Sequence, residues 1–573
     1  TIIDALTKLG ALVAHNKYKH SYPYCWRSKT PLLYRATEQW FASVDAFREQ
    51  ALSEIDKVTW YPGRARNRIY SMVESRGDWC ISRQRVWGVP IPALYDTSVT
   101  DEYGNFKAIL DLEIINHVSE IFKKEGSNAW YEKELTELIP QHLYHGENAK
   151  YQLENLKKET DTMDVWFDSG SSHRAVVFDR PDDYKMTDEF KPVEMYLEGS
   201  DQHRGWFQSS LLTSVAVNGF APYKSVLTHG FVMDEKGRKM SKSLGNVVDP
   251  ADVIKNNGAD ILRLWVASID YSVDIKVGKN IFKQLSDIYR NFRNTSRFML
   301  GNLFDFNPET DLVSYDKLWD LDRLILHRLQ TLNQDLTKAF DNYELSRFYQ
   351  LIQNFCTNDL SAFYFDICKD RLYTHGKNSL SRRAAQTVTL EILSSLSRFL
   401  VPVLSHLAED LYTHMPEAVK RYLADHEFYN PELKLANKDY KKSILLANWP
   451  ALKEQFIDDE LASKWQDILE LRDIANKELE TLRAEKVIAK SLEAELTLEM
   501  PADKLKVFSE LKAEIQASFM VSSLILKEAD TLKISAGKFI EGKRCERCWK
   551  YFSELHEHGL CTTCLEAVKA CAN

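Results

Sequence analysis

A change of hydrophobic period near residue 278 narrows the possible fold more than any other feature of the chain. Before it, strand-length apolar pieces such as Val193-Glu194-Met195-Tyr196-Leu197 alternate with Gly turns and helical runs such as Phe207 to Val217. That alternation predicts an α/β layer with parallel strands. After it, Leu321, Leu324, Leu329, Leu332, Leu336 and Phe340 recur at helical spacing, as do Leu390, Leu393, Leu396 and Leu400. Pro402 then predicts a helix end or a kink. A helical bundle is expected to about residue 450, then Glu- and Lys-rich helix, then strand-like pieces at Ala494 to Leu498 and Met520 to Leu526. Residues 95–160 read as a charged, locally helical insertion.

Length and composition set outer limits. A chain of 573 residues is too long for one core and predicts about three to five domains. Its 44% hydrophobic and 27% charged residues exclude collagen-like, coiled-coil and wholly disordered classes. No run approaches the ~18 apolar residues of a spanning helix, and mean hydropathy is −0.38, so a soluble chain is expected. The start, Thr1-Ile2-Ile3-Asp4, lacks a secretory layout and an initiating Met, which suggests a processed product or an excised portion. A net charge of −9 argues weakly against broad coating of nucleic acid. It leaves room for a local basic groove, because phosphate attraction acts over roughly 8 Å.

The nine cysteines are sparse, and four crowd into the tail, which points to a reducing compartment and a metal site. Cys545-x2-Cys548 and Cys561-x2-Cys564 are separated by twelve residues. Two such knuckles can supply four thiolates to one tetrahedral Zn²⁺, and an all-sulfur set implies a closed structural site. Disulfides or unrelated thiols are the alternative, and His556 and His558 are competing ligands. Lys543, Arg544, Arg547 and Lys550 surround the first knuckle, with Trp549 and Tyr551 beside them. That surface suits nucleic acid, or it is a solvated face.

The stretch Lys236-Gly237-Arg238-Lys239-Met240-Ser241-Lys242-Ser243-Leu244-Gly245-Asn246 packs four cations into a Gly-bounded loop. Lys239 and Lys242, three apart, can meet one polyanion and stabilise charge on a departing pyrophosphate. Composition alone would equally allow a solvated basic turn. The string Lys-Met-Ser-Lys-Ser, however, resembles the signature of class I aminoacyl-tRNA synthetases. Tyr196 to Phe207, Asp164 to Gly170, Trp79 to Pro92, Gly258 to Trp265 and the four-cysteine tail resemble the bacterial isoleucyl-tRNA synthetase family in particular. The resemblance extends over essentially the whole chain.

What the resemblance implies is specific. The fold would be multidomain, with an α/β Rossmann-like catalytic core, an α-helical anticodon-binding bundle and a small zinc-ribbon-like tail. Residues 1–47 would return from an editing insertion. Residues 48–277 would form the second half of the core, with an insertion at about 95–160 and the lysine loop at 239–243. Residues 278–450 would bind the anticodon, 451–540 would be a junction domain and 541–573 the zinc module. Isoleucine and ATP would give isoleucyl-adenylate and pyrophosphate, and the acyl group would pass to tRNA(Ile). Glu198 would contact the adenylate, Gly199 and Asp201 the ribose, and Gln202 the aminoacyl group. Such groups suit a strand-end loop. Trp166 and Trp206 would flank the isoleucine side chain, and His229 and Gly230 would lie by the adenine. Lys242, assisted by Lys239, would bind the ATP phosphates. The substrate carboxylate is itself the nucleophile, so no enzyme nucleophile is required. Mg²⁺ would accompany ATP, with no dedicated cage in the sequence.

The departures are equally specific. No His-x-Gly-His string occurs, and the editing residues are absent. The chain is therefore expected to be the carboxyl-terminal portion of a larger enzyme and inactive alone. The family's discrimination against valine is an established case, about 150-fold from one methylene, hence a second editing sieve. Cys25 is followed by Ser28 where some relatives have a second zinc pair, so no zinc is expected there. Arg290, Arg293 and Arg297 recur at helical spacing and either track tRNA phosphates or form a solvent-facing stripe. A monomeric, cytoplasmic protein without membrane association is implied. Two other readings stay open: a related branched-chain ligase, or a non-catalytic tRNA-binding module.

Overall fold

The structure, a computed structural model, describes residues 1–25, 28–179, 191–241, 244–426, 428–429 and 443–572. Trp26 lies outside them. The chain divides into two units, Thr1–Thr228 and His229–Asn573.

In the first unit the sequence alternates helix and strand: α1 (Arg48–Lys57), β1 (Thr59–Tyr61), α2 (Ala65–Glu74), α3 (Val165–Gly170), β2 (Val193–Gly199), α4 (Trp206–Asn218) and β3 (Tyr223–His229). β3 is the middle strand between β1 and β2. It runs parallel to β1, with Val226 opposite Trp60. Leu52, Ile55, Ile69, Val73, Phe207, Leu211 and Val226 close one core between sheet and helices. α4 is apolar around most of its circumference and correspondingly buried from Phe207 to Leu212. It stops at Gly219, whose φ of 80° suits a residue without Cβ.

The region 95–160 is locally helical, at Leu112–Glu125 above all, but it also holds a sheet that the sequence did not announce. Strands Leu94–Thr100, Phe106–Ile109 and Leu156–Lys158 form an antiparallel sheet, against which helix Leu112–Glu125 packs through Ile114 and Val118. Short strands in a charged sequence carry little periodic signal, and their pairing is fixed by partners distant in sequence. The amino-terminal helix Ile2–Lys8 has no buried residue.

In the second unit the long periodic segments are helices: α5 (Ala259–Ser268), α6 (Lys279–Asn302), α7 (Asp320–Asp341), α8 (Phe365–Thr374), α9 (Leu380–Leu400) and α10 (Asp459–Ala484). Leu321, Leu324, Leu329, Leu332 and Leu336 of α7 and all four expected leucines of α9 are buried in one core. α9 ends two residues before Pro402. A small sheet follows, with β4 (Ala494–Met500) between β5 (Ser523–Glu528) and β6 (Lys533–Lys538). β4 alternates buried and half-buried residues. Met520, expected in a strand, instead caps helix Lys512–Phe519 with φ 57°.

One ion pair crosses the bundle core. Arg371 of α8, 2% exposed, donates to both oxygens of the fully buried Asp322 of α7 at 2.8 and 2.7 Å. Tyr364 donates to the same carboxylate at 2.7 Å, and Arg371 also reaches Ser381 of α9. Asp322→Ala would leave a buried guanidinium without its counter-charge. The expected loss is about 3–5 kcal/mol, read from denaturant unfolding of the chain. A loss under about 1 kcal/mol would show that the pair does not hold the bundle.

Candidate functional site

In the first unit the expected substrate residues gather where β2 turns into α4. Glu198 and Gly199 end the strand, and Asp201 and Gln202 lie in the single helical turn Ser200–Arg204. Both carboxylates are exposed. Glu198 accepts from the Gly199 N–H at 2.8 Å, and Gln202 donates to Asp201 at 3.4 Å. His203, 1% exposed, faces inward, with Nδ1 on the Ser200 carbonyl at 3.0 Å. Burial lowers its pKa.

Trp206 is held on several sides. Its ring stacks on Tyr196 at 3.9 Å and 14°. Its indole N–H donates to the Ser169 carbonyl and the Ser172 hydroxyl, both at 3.0 Å. Its backbone N–H donates to Gln202 Oε1 at 3.0 Å. Trp166 stands on α3, whose amino end is capped by Asp164. The indole is 41% exposed. A Cβ placed on Gly205 would lie 2.9 Å from two of its ring carbons, so Trp166 packs on the backbone that immediately precedes Trp206. Trp166, Gln202 and Trp206 therefore meet around Gly205.

Asp164 also receives the Trp79 indole N–H at 3.1 Å and pairs with Arg83 at 2.9 Å. This ties the Trp79–Pro92 string to α3. Burial, reinforced by the Asp164 charge, raises the pKa of Asp168 on the same helix. Tyr196, Ser169, Ser172 and Gly205 were not singled out by the sequence. Tyr196, Ser169 and Gly205 lie inside the quoted strings, but nothing in the strings marks them as supports for the second indole.

The second unit holds the remaining candidates. His229 Nδ1–H donates to the Gly230 carbonyl, 2.8 Å away. A Cβ on Gly230 would stand 2.2 Å from the Val273 backbone, so this position requires glycine for packing. The lysine loop turns at Gly237, φ 75°, and at Gly245, φ 62°. Asp234 anchors it, accepting from the backbone of Lys236 and Arg238, the Arg238 guanidinium and the Asn246 amide. The Asn246 hydrogen bond and then the Arg238 N–H hold the Asp234 carboxyl far below the usual carboxylate range. Asn246 also accepts from Ser241 N–H at 2.9 Å and donates to the Lys239 carbonyl at 3.2 Å. Arg238 is thus paired, while Lys239 is exposed, its ammonium 5.8 Å from the Phe231 ring centroid. Lys242 and Ser243 lie outside the described residues.

The tail brings Cys545, Cys548, Cys561 and Cys564 together, with all four sulfurs within 4.8 Å of one another. Cys548 and Cys561 sulfurs are 3.8 Å apart. A tetrahedron with Zn–S arms of about 2.3 Å has an edge of roughly 3.8 Å, so the donor set fits zinc, whereas all four are free thiols. His556 engages Thr562 at 2.9 Å and is not in the cluster. Two of the surrounding cations have structural partners: Lys550 pairs with Asp370 of α8 at 2.7 Å, and Arg547 donates to the Thr374 carbonyl. They dock the tail on the bundle. Lys543 and Arg544 remain exposed. On α6, Arg290 and Arg293 pair with Asp287 and Asp410, and Arg297 is exposed. Cys25 accepts from Ser28 N–H at 3.4 Å.

Among the described residues, no helix is long and apolar enough to cross a membrane. The profile of class I tRNA synthetases (I, L, M and V) matches residues 6–278, and that of the anticodon-binding domain of tRNA ligase matches residues 322–498. The isoleucine–tRNA ligase of Desulforamulus reducens is 47% identical over 99% of this chain and 60% of its own length. Those of a Synechococcus species and Thermotoga petrophila are each 46% identical over 99% of this chain and 59% of theirs. The chain thus spans about 60% of the length of these relatives. Among solved structures, a leucyl enzyme of Agrobacterium radiobacter in complex with tRNA matches at 17% identity and TM-score 0.44, over 80% of this chain and 53% of that one. The methionyl-tRNA synthetase of Mycobacterium tuberculosis matches at 16% and 0.47, over 68% and 65%.

Cys561→Ser is expected to abolish stoichiometric zinc, measured by metal analysis of the purified chain. Retention of one zinc per chain would reject the four-thiolate centre.

Proposed function

The chain belongs to the class I tRNA synthetases of the isoleucine, leucine, methionine and valine group, and from that premise we propose that it is part of an isoleucine–tRNA ligase. The observation that carries this is the identity of 46–47% to isoleucine–tRNA ligases across 99% of the chain. The full-length protein would activate isoleucine with ATP and pass the acyl group to tRNA(Ile).

The proposed chemistry is positioning and electrostatics, with the substrate carboxylate attacking the α-phosphate and pyrophosphate leaving. Trp166 and Trp206 would flank the branched side chain, a role supported by their meeting at Gly205. Gln202 would face the aminoacyl group. Its Oε1 already accepts from Trp206 N–H and its amide nitrogen donates to Asp201, which leaves the second amide hydrogen for an oxygen of the substrate. Glu198 would contact the adenylate, with Gly199 and Asp201 toward the ribose hydroxyls. His229 and Gly230 would lie by the adenine. Lys242, with Lys239, would neutralise the phosphates, and the exposure of Lys239 beside a paired Arg238 supports that division. Mg²⁺ would enter with ATP. Zinc on the four thiolates would cross-link the tail and so hold its docking surface on α8. Exposed Arg297, Lys543 and Arg544 are the cations proposed to remain for tRNA.

Amino-acid-dependent pyrophosphate exchange by the full-length enzyme tests the assignment. Stimulation by isoleucine should exceed that by valine by at least tenfold, and equal or reversed preference would reject it. Lys242→Ala should slow adenylate formation by about 100-fold or more while isoleucine binding changes little. An unchanged activation rate would remove the lysine loop from the mechanism.

A further inference from the structure

Two glycines bring α3 against α4. On α3, a Cβ at Gly170 would fall 2.9 Å from the Ser209 backbone carbonyl carbon and oxygen. Thr213 of α4 donates to the Gly170 carbonyl at 3.0 Å. Just before α4, a Cβ at Gly205 would fall 2.5 Å from Gln202 Oε1 and 2.9 Å from Trp166 Cη2 and Cζ3. The two contacts differ in kind. Gly170 opposes backbone, which cannot retreat. Gly205 opposes the far ends of two side chains, and its φ of −133° with ψ of −121° lies outside the α and β regions, so a residue with a Cβ is strained there as well. The space at 205 is thus bounded by side chains, on a main-chain path that itself favours glycine.

The indoles on either side of that vacancy are unequally held. Trp206 is stacked on Tyr196, which is only 4% exposed and packs in turn on Tyr223. Its N–H has two acceptors. Trp166 is 41% exposed, and its ring edge abuts Gly205. A group added at Gly205 would move Trp166 relative to a fixed Trp206.

We propose that Gly205 is a specificity-determining residue, whose missing side chain fixes how closely the Trp166 indole approaches Trp206 and thereby sizes the slot for a branched aliphatic side chain. The proposal rests on the reading above that the two indoles flank the amino acid. Gly205 touches no substrate in this account. It acts through the position of Trp166, with Gln202 displaced alongside.

The test is pyrophosphate exchange by the full-length enzyme with isoleucine and with valine as separate substrates. Gly205→Ala should lower the isoleucine-to-valine ratio of kcat/KM about tenfold, the low end of what one methylene contributes in such a slot. The change should appear in the amino-acid KM, with the ATP KM unchanged. Trp166→Phe shortens the ring and withdraws the atoms that meet the new methyl. Adding Gly205→Ala to that background should therefore lower the ratio less than twofold further. An unaltered ratio in Gly205→Ala, or an equal fall in both backgrounds, would overturn the proposal. Trp166→Ala separates the two levels. If it leaves isoleucine KM unchanged, the indole slot itself is wrong. If it raises that KM while Gly205→Ala leaves the ratio intact, only the role of Gly205 is lost. Should Gly205→Ala fail to fold, Gly205→Ser must fail likewise and Trp166→Phe must rescue both. Failure without rescue would also overturn the proposal, since backbone strain or another contact, and not the indole, would then account for the glycine.

Discussion

Asp322 is fully buried, yet it carries a charge that Arg371, Tyr364 and the Trp319 N–H satisfy. Burying a carboxylate in an apolar bundle costs several kcal/mol unless its oxygens are occupied, so three segments must arrive in one arrangement. α7 brings the carboxylate, α8 the guanidinium and the first turn of α9 the Ser381 oxygens. Trp319, just before α7, covers the guanidinium with its ring centroid 4.1 Å away. A bundle held by leucines alone could slide by a turn at modest cost. This one cannot slide without exposing or orphaning the pair. The same helix α8 then offers Asp370 and the Thr374 carbonyl to the cysteine tail, so the tail's seat inherits the register that the ion pair sets.

The first unit divides its labour differently. The groups suited to bind hydroxyls and an ammonium, Glu198 and Asp201, are exposed at a strand end. The groups that hold them there are buried: Tyr196, His203, Phe207 and Gly205. A recognition surface must give up its water to a ligand and so must stay accessible beforehand. Its precision has to come from the layer beneath. The stacked Tyr196–Trp206 pair and the two acceptors on the indole N–H are that layer for one wall of the proposed slot.

Much of this was legible in the sequence, for reasons that differ from element to element. The leucines of α7 and α9, the stop before Pro402 and the strand Val193–Gly199 follow from period alone, because burial repeats where the backbone repeats. The cysteine cluster was legible because sulfur spacing survives any surrounding fold. The pairings were not. Arg371, Arg382 and Arg383 look like ordinary surface cations in a list of residues, but they are buried on Asp322, Asp305 and Asp311. The charged region 95–160 concealed a sheet whose third strand lies far along the chain. Trp166 and Trp206 were named from resemblance. That they converge on a glycine could not be read, since a glycine's contacts leave no trace in composition.

The lysine loop shows how a cationic segment can be ordered without losing its charge. Four like charges in so short a span repel one another, and a loop left to them would stay extended. Asp234 removes one of the four by pairing with Arg238 and gathers three further donors from the loop and from Asn246. Asn246, being neutral, ties Ser241 and the Lys239 carbonyl without cancelling anything. One acid closes the turn and one amide closes the span, so the exposed Lys239 charge stays uncompensated by the clamp. Replacing Asn246 with an acid would keep the acceptor for the Ser241 N–H but lose both donations and set a second carboxylate against Asp234, so it is the neutral amide that closes the span.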